Sequence, residues 1–214
     1  MSGFWIKVIA LVTMTLDHVG LLFFPEYDWL RAVGRVAFPL FAYCAAEGAR
    51  YTHDRKGYLT RLLVLGALSE VPFDLLAQDK LVAPGMNVCF TLAAGVACVW
   101  LLERRDSRST TLAVLLLAAV ALLATDYSFP GVLAVVILHH YAGKQQPVRG
   151  MALACLLTGL FFGSLQLFSL AAVLPIALYN GKRGPSLKYT FYLYYPLHML
   201  VLWVVFKMTG GVIL

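Results

Sequence analysis

Phe4-Trp5-Ile6-Lys7-Val8-Ile9-Ala10-Leu11-Val12-Thr13-Met14-Thr15-Leu16-Asp17-His18-Val19-Gly20-Leu21-Leu22-Phe23-Phe24 decides the fold. After Lys7 the run is apolar apart from two threonines and the pair Asp17-His18. As a helix rising about 1.5 Å per residue it is about 30 Å long, the thickness of a bilayer's hydrocarbon core. An aspartate deep in such a span costs roughly 2.5–3.5 kcal/mol on insertion scales. Asp17 and His18 therefore call for a reason: a proton path, an ion or substrate site, or a catalytic base. Arg31 and Arg35 follow one helical turn apart on the same side of the membrane.

Working outward, 61% of the 214 residues are apolar and 13% are charged, against about 25% charged in an ordinary soluble domain. The charges form short clusters between long apolar runs, which predicts an all-α, polytopic transmembrane bundle folded as a single domain over 1–214. The first run is expected to be a retained span, since Asp17-His18 interrupts it and no small-residue cleavage site follows. Cys44, Cys89, Cys98 and Cys155 stand alone in apolar segments, so buried thiols are expected, with neither a disulfide framework nor a metal site.

The apolar runs predict about nine spans, at 4–24, 32–50, 57–77, 87–103, 109–125, 129–142, 149–163, 165–180 and 188–208. The positive-inside rule places the N-terminus in the cytoplasm. Lys7 and the clusters Arg50–Arg61, Arg104–Arg108, Lys144–Arg149 and Lys182–Lys188 then lie inside. Only Arg31, Arg35, Lys80 and Lys207 remain outside, four of the seventeen basic residues. The net charge of +6 is thus a topogenic pattern spread over several loops. A nucleic-acid partner would need one continuous basic face with aromatic platforms, and none is present in the pattern.

The outer half of the membrane is expected to gather Asp17, His18, Arg31, Arg35, Glu70, Asp74, Asn87 and Asp126. Arg31/Arg35 and Glu70/Asp74 are i,i+4 pairs, each sharing one helix face. Asp17 and His18, one residue apart, point about 100° from each other. Asp17 is therefore expected to pair with an arginine, leaving His18, a proton acceptor near neutral pH, facing a cavity. The competing reading is that these groups only neutralise one another as buried ion pairs. Toward the cytoplasm, Glu47 is expected to pair with Arg50 or Arg61. The cations Arg50, Arg55, Lys56 and Arg61 either hold the phosphates of a nucleotide-type donor or serve topology alone.

Pro39, Pro72 and Pro196 are expected to interrupt their spans. His198, two residues past Pro196, falls near the middle of the last span as a second site candidate or as a packed histidine. His139-His140 reads as interfacial. No P-loop, GxGxxG, GxSxG or HExxH occurs.

Met14-Thr15-Leu16-Asp17-His18-Val19-Gly20 and Gly34-Arg35-Val36-Ala37-Phe38-Pro39-Leu40-Phe41-Ala42-Tyr43 with Glu47-Gly48 resemble motifs of the TraX family. So do Ser69-Glu70-Val71-Pro72-Phe73-Asp74, Leu178-Tyr179-Asn180-Gly181-Lys182-Arg183-Gly184 and Lys188-Tyr189 through Tyr195-Pro196-Leu197-His198. The resemblance runs in order over essentially the whole chain. It implies an acetyltransferase of the cytoplasmic membrane, associated with N-terminal acetylation of conjugative pilin, with acetyl-CoA as the donor. The acceptor, a pilin-like peptide or an envelope glycan, is not fixed by the family name.

Acetyl transfer needs a base and a partner for the oxyanion. His18 is the expected base, with His198 in reserve. Asp17 is expected to hold Arg31 or Arg35, and Arg35 or Asn87 to polarise the carbonyl. Glu47, Arg50, Arg55, Lys56 and Arg61 are the expected donor-binding set; Arg31, Glu70, Asp74, Asn87 and Asp126 are the expected acceptor-binding set. The main rival is a proton-coupled transporter, since intramembrane Asp, His and Arg also build proton relays. A non-catalytic membrane scaffold is the third possibility.

Overall fold

The computed structural model describes residues 1–185 and 188–211, apart from the side chains of Lys188 and Tyr189. The expected inner cation Lys188 and the Lys188-Tyr189 motif therefore lie, as side chains, outside the described residues. The architecture is all-α: α1 (Gly3–Phe23), α2 (Asp28–Gly34), α3 (Ala37–Tyr51), α4 (Arg55–Gln78), α5 (Val88–Glu103), α6 (Ser107–Leu122), α7 (Ser128–Gly143), α8 (Pro147–Phe162), a 3-10 helix (Ser164–Ala172), α9 (Val173–Ala177) and α10 (Lys188–Met208). Among the described residues the only β-type pairing is one isolated bridge, Met86 with Thr125.

Three helix starts are written in the sequence as Asx caps. The backbone N–H of Gly57 donates to Asp54 Oδ1 at 2.8 Å, that of Cys89 to Asn87 Oδ1 at 3.0 Å, and that of Ser109 to Asp106 Oδ1 at 2.8 Å. Two expected spans are built differently from the prediction. The segment 32–50 is broken at Arg35-Val36, between α2 and α3. Pro39 explains the break: it has no N–H for the Arg35 carbonyl, and its ring crowds that carbonyl four residues back. The segment 165–180 is a 3-10 helix followed by the five residues of α9. Pro72 and Pro196, in contrast, lie inside continuous helices, α4 and α10.

The core is a cluster of small and branched side chains around α3, whose Ala42, Ala45, Ala46 and Ala49 are all buried. Those alanines let helix backbones approach closely. Ile6 of α1, Val96 of α5, Val135 and Leu138 of α7 and Met151 of α8 complete the cluster. Contacts along α1 and α10 rise together, Phe4 with Phe191, Thr15 with Tyr194, His18 with His198 and Phe23 with Phe206, so the two helices run parallel. At the far end the α4 C-cap Asp79 accepts from Trp203 Nε1 at 2.9 Å and from Lys207 Nζ, so α4 is parallel to them as well. These two donors hold the Asp79 carboxyl below its ordinary range, and the backbone and hydroxyl of Ser109 do the same for Asp106.

Among the described residues two helices, Gly3–Phe23 and Thr190–Met208, are long and apolar enough to cross a membrane. Only 33% and 22% of their apolar stretches is buried, unlike the core helices of a soluble protein. Helices α5 to α8 are apolar but have 16 residues each, about 24 Å against a hydrocarbon core of about 30 Å.

Candidate active site

The site begins where α1 and α2 touch. A Cβ on Gly20 would come within 2.7 Å of Leu30 Cβ, and one on Gly34 would overlap the Asp17 side chain. Glycine at both positions lets the helices close until buried Asp17 meets both arginines. Arg31 Nη1 donates to Asp17 Oδ2 at 3.0 Å, and Arg35 Nη2 donates to Asp17 Oδ1. Arg35 is the C-cap of α2 and still turns with helical backbone angles, φ −59° and ψ −18°, which keeps it on the Arg31 face. Its Nε donates to the Arg31 carbonyl at 3.3 Å. One carboxylate thus holds two guanidinium groups.

His18 points elsewhere, toward α10. His18 Nδ1 and His198 Nε2 are 2.9 Å apart, and His198 Nδ1 is 2.9 Å from the Tyr194 carbonyl oxygen. A carbonyl only accepts, so His198 Nδ1 carries a proton. In a neutral ring Nε2 is then the acceptor, which requires His18 Nδ1 to be the donor. Neutral His18 is left with a bare lone pair on Nε2. The rings of His18, His198 and Tyr194 lie almost parallel, and the Tyr194 hydroxyl pairs with Thr15 Oγ1 at 2.8 Å. His198 is buried and His18 half-buried.

Two histidines predicted separately, one as base and one as reserve, are therefore partners across 180 residues. Tyr194 and Thr15 were not singled out from the sequence. Tyr194 had a signal, since it lies four residues before His198 and shares its helix face.

Glu70, Asp74 and Asn87 are gathered at the α4–α5 connection and bonded within it. Glu70 Oε2 accepts from the Asn87 backbone N–H at 3.1 Å and from the Asn87 side-chain amide. Asn87 Nδ2 also donates to the Gly66 carbonyl at 2.8 Å, and Asp74 Oδ2 accepts from Ala83 N–H at 3.0 Å. The amide of Asn87 is thus engaged by its own loop.

Asp126 belongs to a different surface, a cavity of about 210 Å³ lined by Arg35, Asp126, Tyr127, Phe162, Leu165 and Gln166. Arg35 is shared between this cavity and the Asp17 cluster. Gln166 sits in the 3-10 segment, where the sequence reads as an apolar span, and a lone glutamine there gave no signal.

The set expected on the cytoplasmic side does not converge on one point. Glu47 does not pair with Arg50 or Arg61, the partners expected from sequence; it accepts instead from the Tyr179 hydroxyl at 2.6 Å. Arg50 lies over the Tyr51 ring, Arg55 pairs with Glu103 at 2.8 Å, and Arg61 lies 3.6 Å from Asp54. Lys56 is exposed. His139 approaches Glu103 at 3.6 Å, so the expected interfacial histidine packs against an ion pair.

Parallel α1 and α10, an arginine pair held by one carboxylate and a hydrogen-bonded histidine pair define an all-α protein with acid–base groups on an apolar helix. Residues 2–206 match the family described as TraX protein. The chain is 28% identical to a probable fimbrial assembly protein FimC, serogroup H1, of Dichelobacter nodosus, over 94% of each chain. It is 32% identical to a Protein TraX of Escherichia coli, over 71% of this chain and 61% of that protein. No solved structure matches it. The chain belongs to the TraX family.

Proposed function

We propose that this protein is a multi-pass acetyltransferase of the cytoplasmic membrane, moving an acetyl group from acetyl-CoA to an amine or hydroxyl at the outer side. A pilin-like peptide is the favoured acceptor, in keeping with the similarity to a probable fimbrial assembly protein. The observation that carries the reading is the unengaged Nε2 lone pair of His18, fixed by the chain from His198 to the Tyr194 carbonyl. In the step itself, the acceptor's lone pair bonds to the thioester carbonyl carbon while its proton passes to His18 Nε2. The tetrahedral adduct then breaks its C–S bond, the electron pair leaves on sulfur, and His18 returns the proton to the thiolate.

His198 supports the imidazolium formed in between. Arg31 and Arg35, fixed by Asp17 at the same level of α1, supply positive charge for the oxyanion. Nη1 of Arg35 makes no hydrogen bond among the described residues, which leaves it available for that role.

Several observations support the membrane setting. The loops alternate between two ends of the bundle, one holding Met1, Arg55–Glu103 and Glu47–Tyr179, the other Asp17–Arg35, Glu70–Asn87 and Asp79–Lys207. The parallel course of α1, α4 and α10 suits odd-numbered members of nine passes. Leu112, Val114, Leu115 and Leu122 of α6 and Leu193, Val201 and Met208 of α10 are exposed, a surface suited to lipid. Exposed Trp5 and Tyr51 at one end and Tyr27 and Trp29 at the other suit the two aromatic interfaces.

Arg50 and Lys56, with Lys144 and Arg149 of a neighbouring groove, are the residues suited to the donor's phosphates. From Arg50 to the start of α3 is about 20 Å of helix, the depth the thioester arm must cover.

The test uses the purified full chain in detergent with acetyl-CoA and a peptide bearing a free N-terminal amine, following thiol release. His18→Ala should slow turnover about 10²- to 10⁴-fold, the usual worth of a positioned base. Equal thiol release by wild type and His18→Ala would remove His18 from the chemistry. Absence of donor binding and turnover would overturn the transferase reading as a whole.

A further inference from the structure

The 210 Å³ cavity beside Arg35 is smaller than pockets for drug-sized ligands, about 300–1,000 Å³, and larger than an engineered cavity of about 150 Å³ that takes benzene. It suits one residue-sized group. Its polar lining is unusual. Gln166 is 2% exposed, its Oε1 accepts from the Tyr127 hydroxyl at 3.3 Å, and its Nε2 is buried without a partner. A buried, unpaired amide N–H is costly, and native structures rarely keep one without use.

Asp126 faces the same cavity, anchored through its backbone: its N–H donates to the Met86 carbonyl at 2.7 Å and its carbonyl accepts from Thr91 Oγ1. The lining therefore offers the Gln166 amide and the Arg35 Nη1 as donors and the Asp126 carboxylate as acceptor. Charge is balanced, since Arg31 and Arg35 face Asp17 and Asp126, so a neutral ligand fits better than an ion.

We propose that this cavity is a binding pocket for a peptide group, with Gln166 Nε2 donating to its carbonyl oxygen and Asp126 accepting from its N–H. The apolar walls, Phe162 and Leu165, receive the adjoining side chain. A sugar fits less well. One face of Tyr127 is covered by Phe38, with ring centroids 3.7 Å apart, and Phe162 meets the ring at a steep angle, so Tyr127 offers no free face for stacking.

Two segments of the lining have backbone of uncommon geometry. Tyr127 and Ser128 are successive non-glycine residues at φ 62° and 40°, at about 1–3 kcal/mol each. The opposite wall is a nine-residue 3-10 helix, longer than the usual three or four residues.

The inference deepens the transferase reading by naming where its acceptor is held, but its test needs no acetyl donor, so either can fail alone. Binding of N-acetylglycine methylamide to the full chain in detergent is followed by saturation-transfer NMR, with sodium acetate and N-acetylglucosamine as comparison ligands. The expected result is saturable binding of the methylamide, weakened about fivefold to tenfold by Gln166→Met, as for one neutral hydrogen bond. Phe162→Trp, which fills the cavity, should abolish it and keeps the test decisive if Gln166→Met does not fold. Three results would overturn the proposal: no saturable binding, equal affinity in wild type and Gln166→Met, or acetate or N-acetylglucosamine binding at least as tightly as the methylamide.

Discussion

Replacing Asp17 by asparagine keeps the side chain's size and removes the one charge that holds two arginines. At 3.0 Å and an effective dielectric of about 20, the Asp17–Arg31 attraction alone is about 5.5 kcal/mol before desolvation is counted. Breaking one partner of a buried pair costs roughly 3–5 kcal/mol, because the other charge stays behind uncompensated. Arg31 and Arg35 retain 25% and 19% of their side-chain exposure, which puts the expected loss at the lower end, about 3 kcal/mol. For a chain of this length that is a fall in melting temperature of about 6–12 °C.

The assay is thermal unfolding of the purified protein in detergent, followed by tryptophan fluorescence, at low salt and at high salt. Because the pair is largely shielded, the fall should persist when salt screens surface charges. A variant melting within about 2 °C of wild type would refute the view that Asp17 is the anchor of the α1–α2 contact. Gly34→Ala is the companion test: its methyl group overlaps Asp17 and should destabilise the same contact without removing any charge.

Asn87→Ala removes the α5 cap and strands Glu70, so it should cost about 2–3 kcal/mol and lower the melting temperature accordingly. Tyr179→Phe leaves Glu47 without its 2.6 Å donor and should cost about 1.5–3 kcal/mol, read by the same melts. Asp79 titrates below its ordinary range when folded, so its stabilisation is complete above the unfolded carboxylate pKa and fades as pH falls through the folded value. Wild type should therefore lose more stability than Asp79→Asn between pH 6 and pH 3; parallel acid limbs would show that Lys207 and Trp203 do not hold this carboxylate.

The helical class and the partnership of Asp17 with the arginines were legible because both follow from local rules: apolar run length, and the 100° turn that separates Asp17 from His18. The break at Arg35-Val36 was half-legible. Pro39 announced an interruption, but the same reasoning wrongly predicted breaks at Pro72 and Pro196, where the helices continue. Whether a helix absorbs a missing N–H or stops depends on what packs around the freed carbonyl, and sequence spacing does not carry that. The His18–His198 pair was invisible for a similar reason: two residues 180 positions apart meet only through the parallel packing of two helices. Gln166 was hidden in an apolar stretch whose 3-10 geometry has no clear periodic signature.

That parallel packing also sets an order of assembly. Asp17 finds its arginines 14 and 18 residues later, almost as soon as α2 is made. His18 must wait for α10, which at about 5–20 residues per second is roughly 10–40 s of synthesis. Through that interval the ion pair can form while the histidine pair cannot. A nascent or truncated chain lacking α10 would hold its charges in place while His18 stood without its histidine partner.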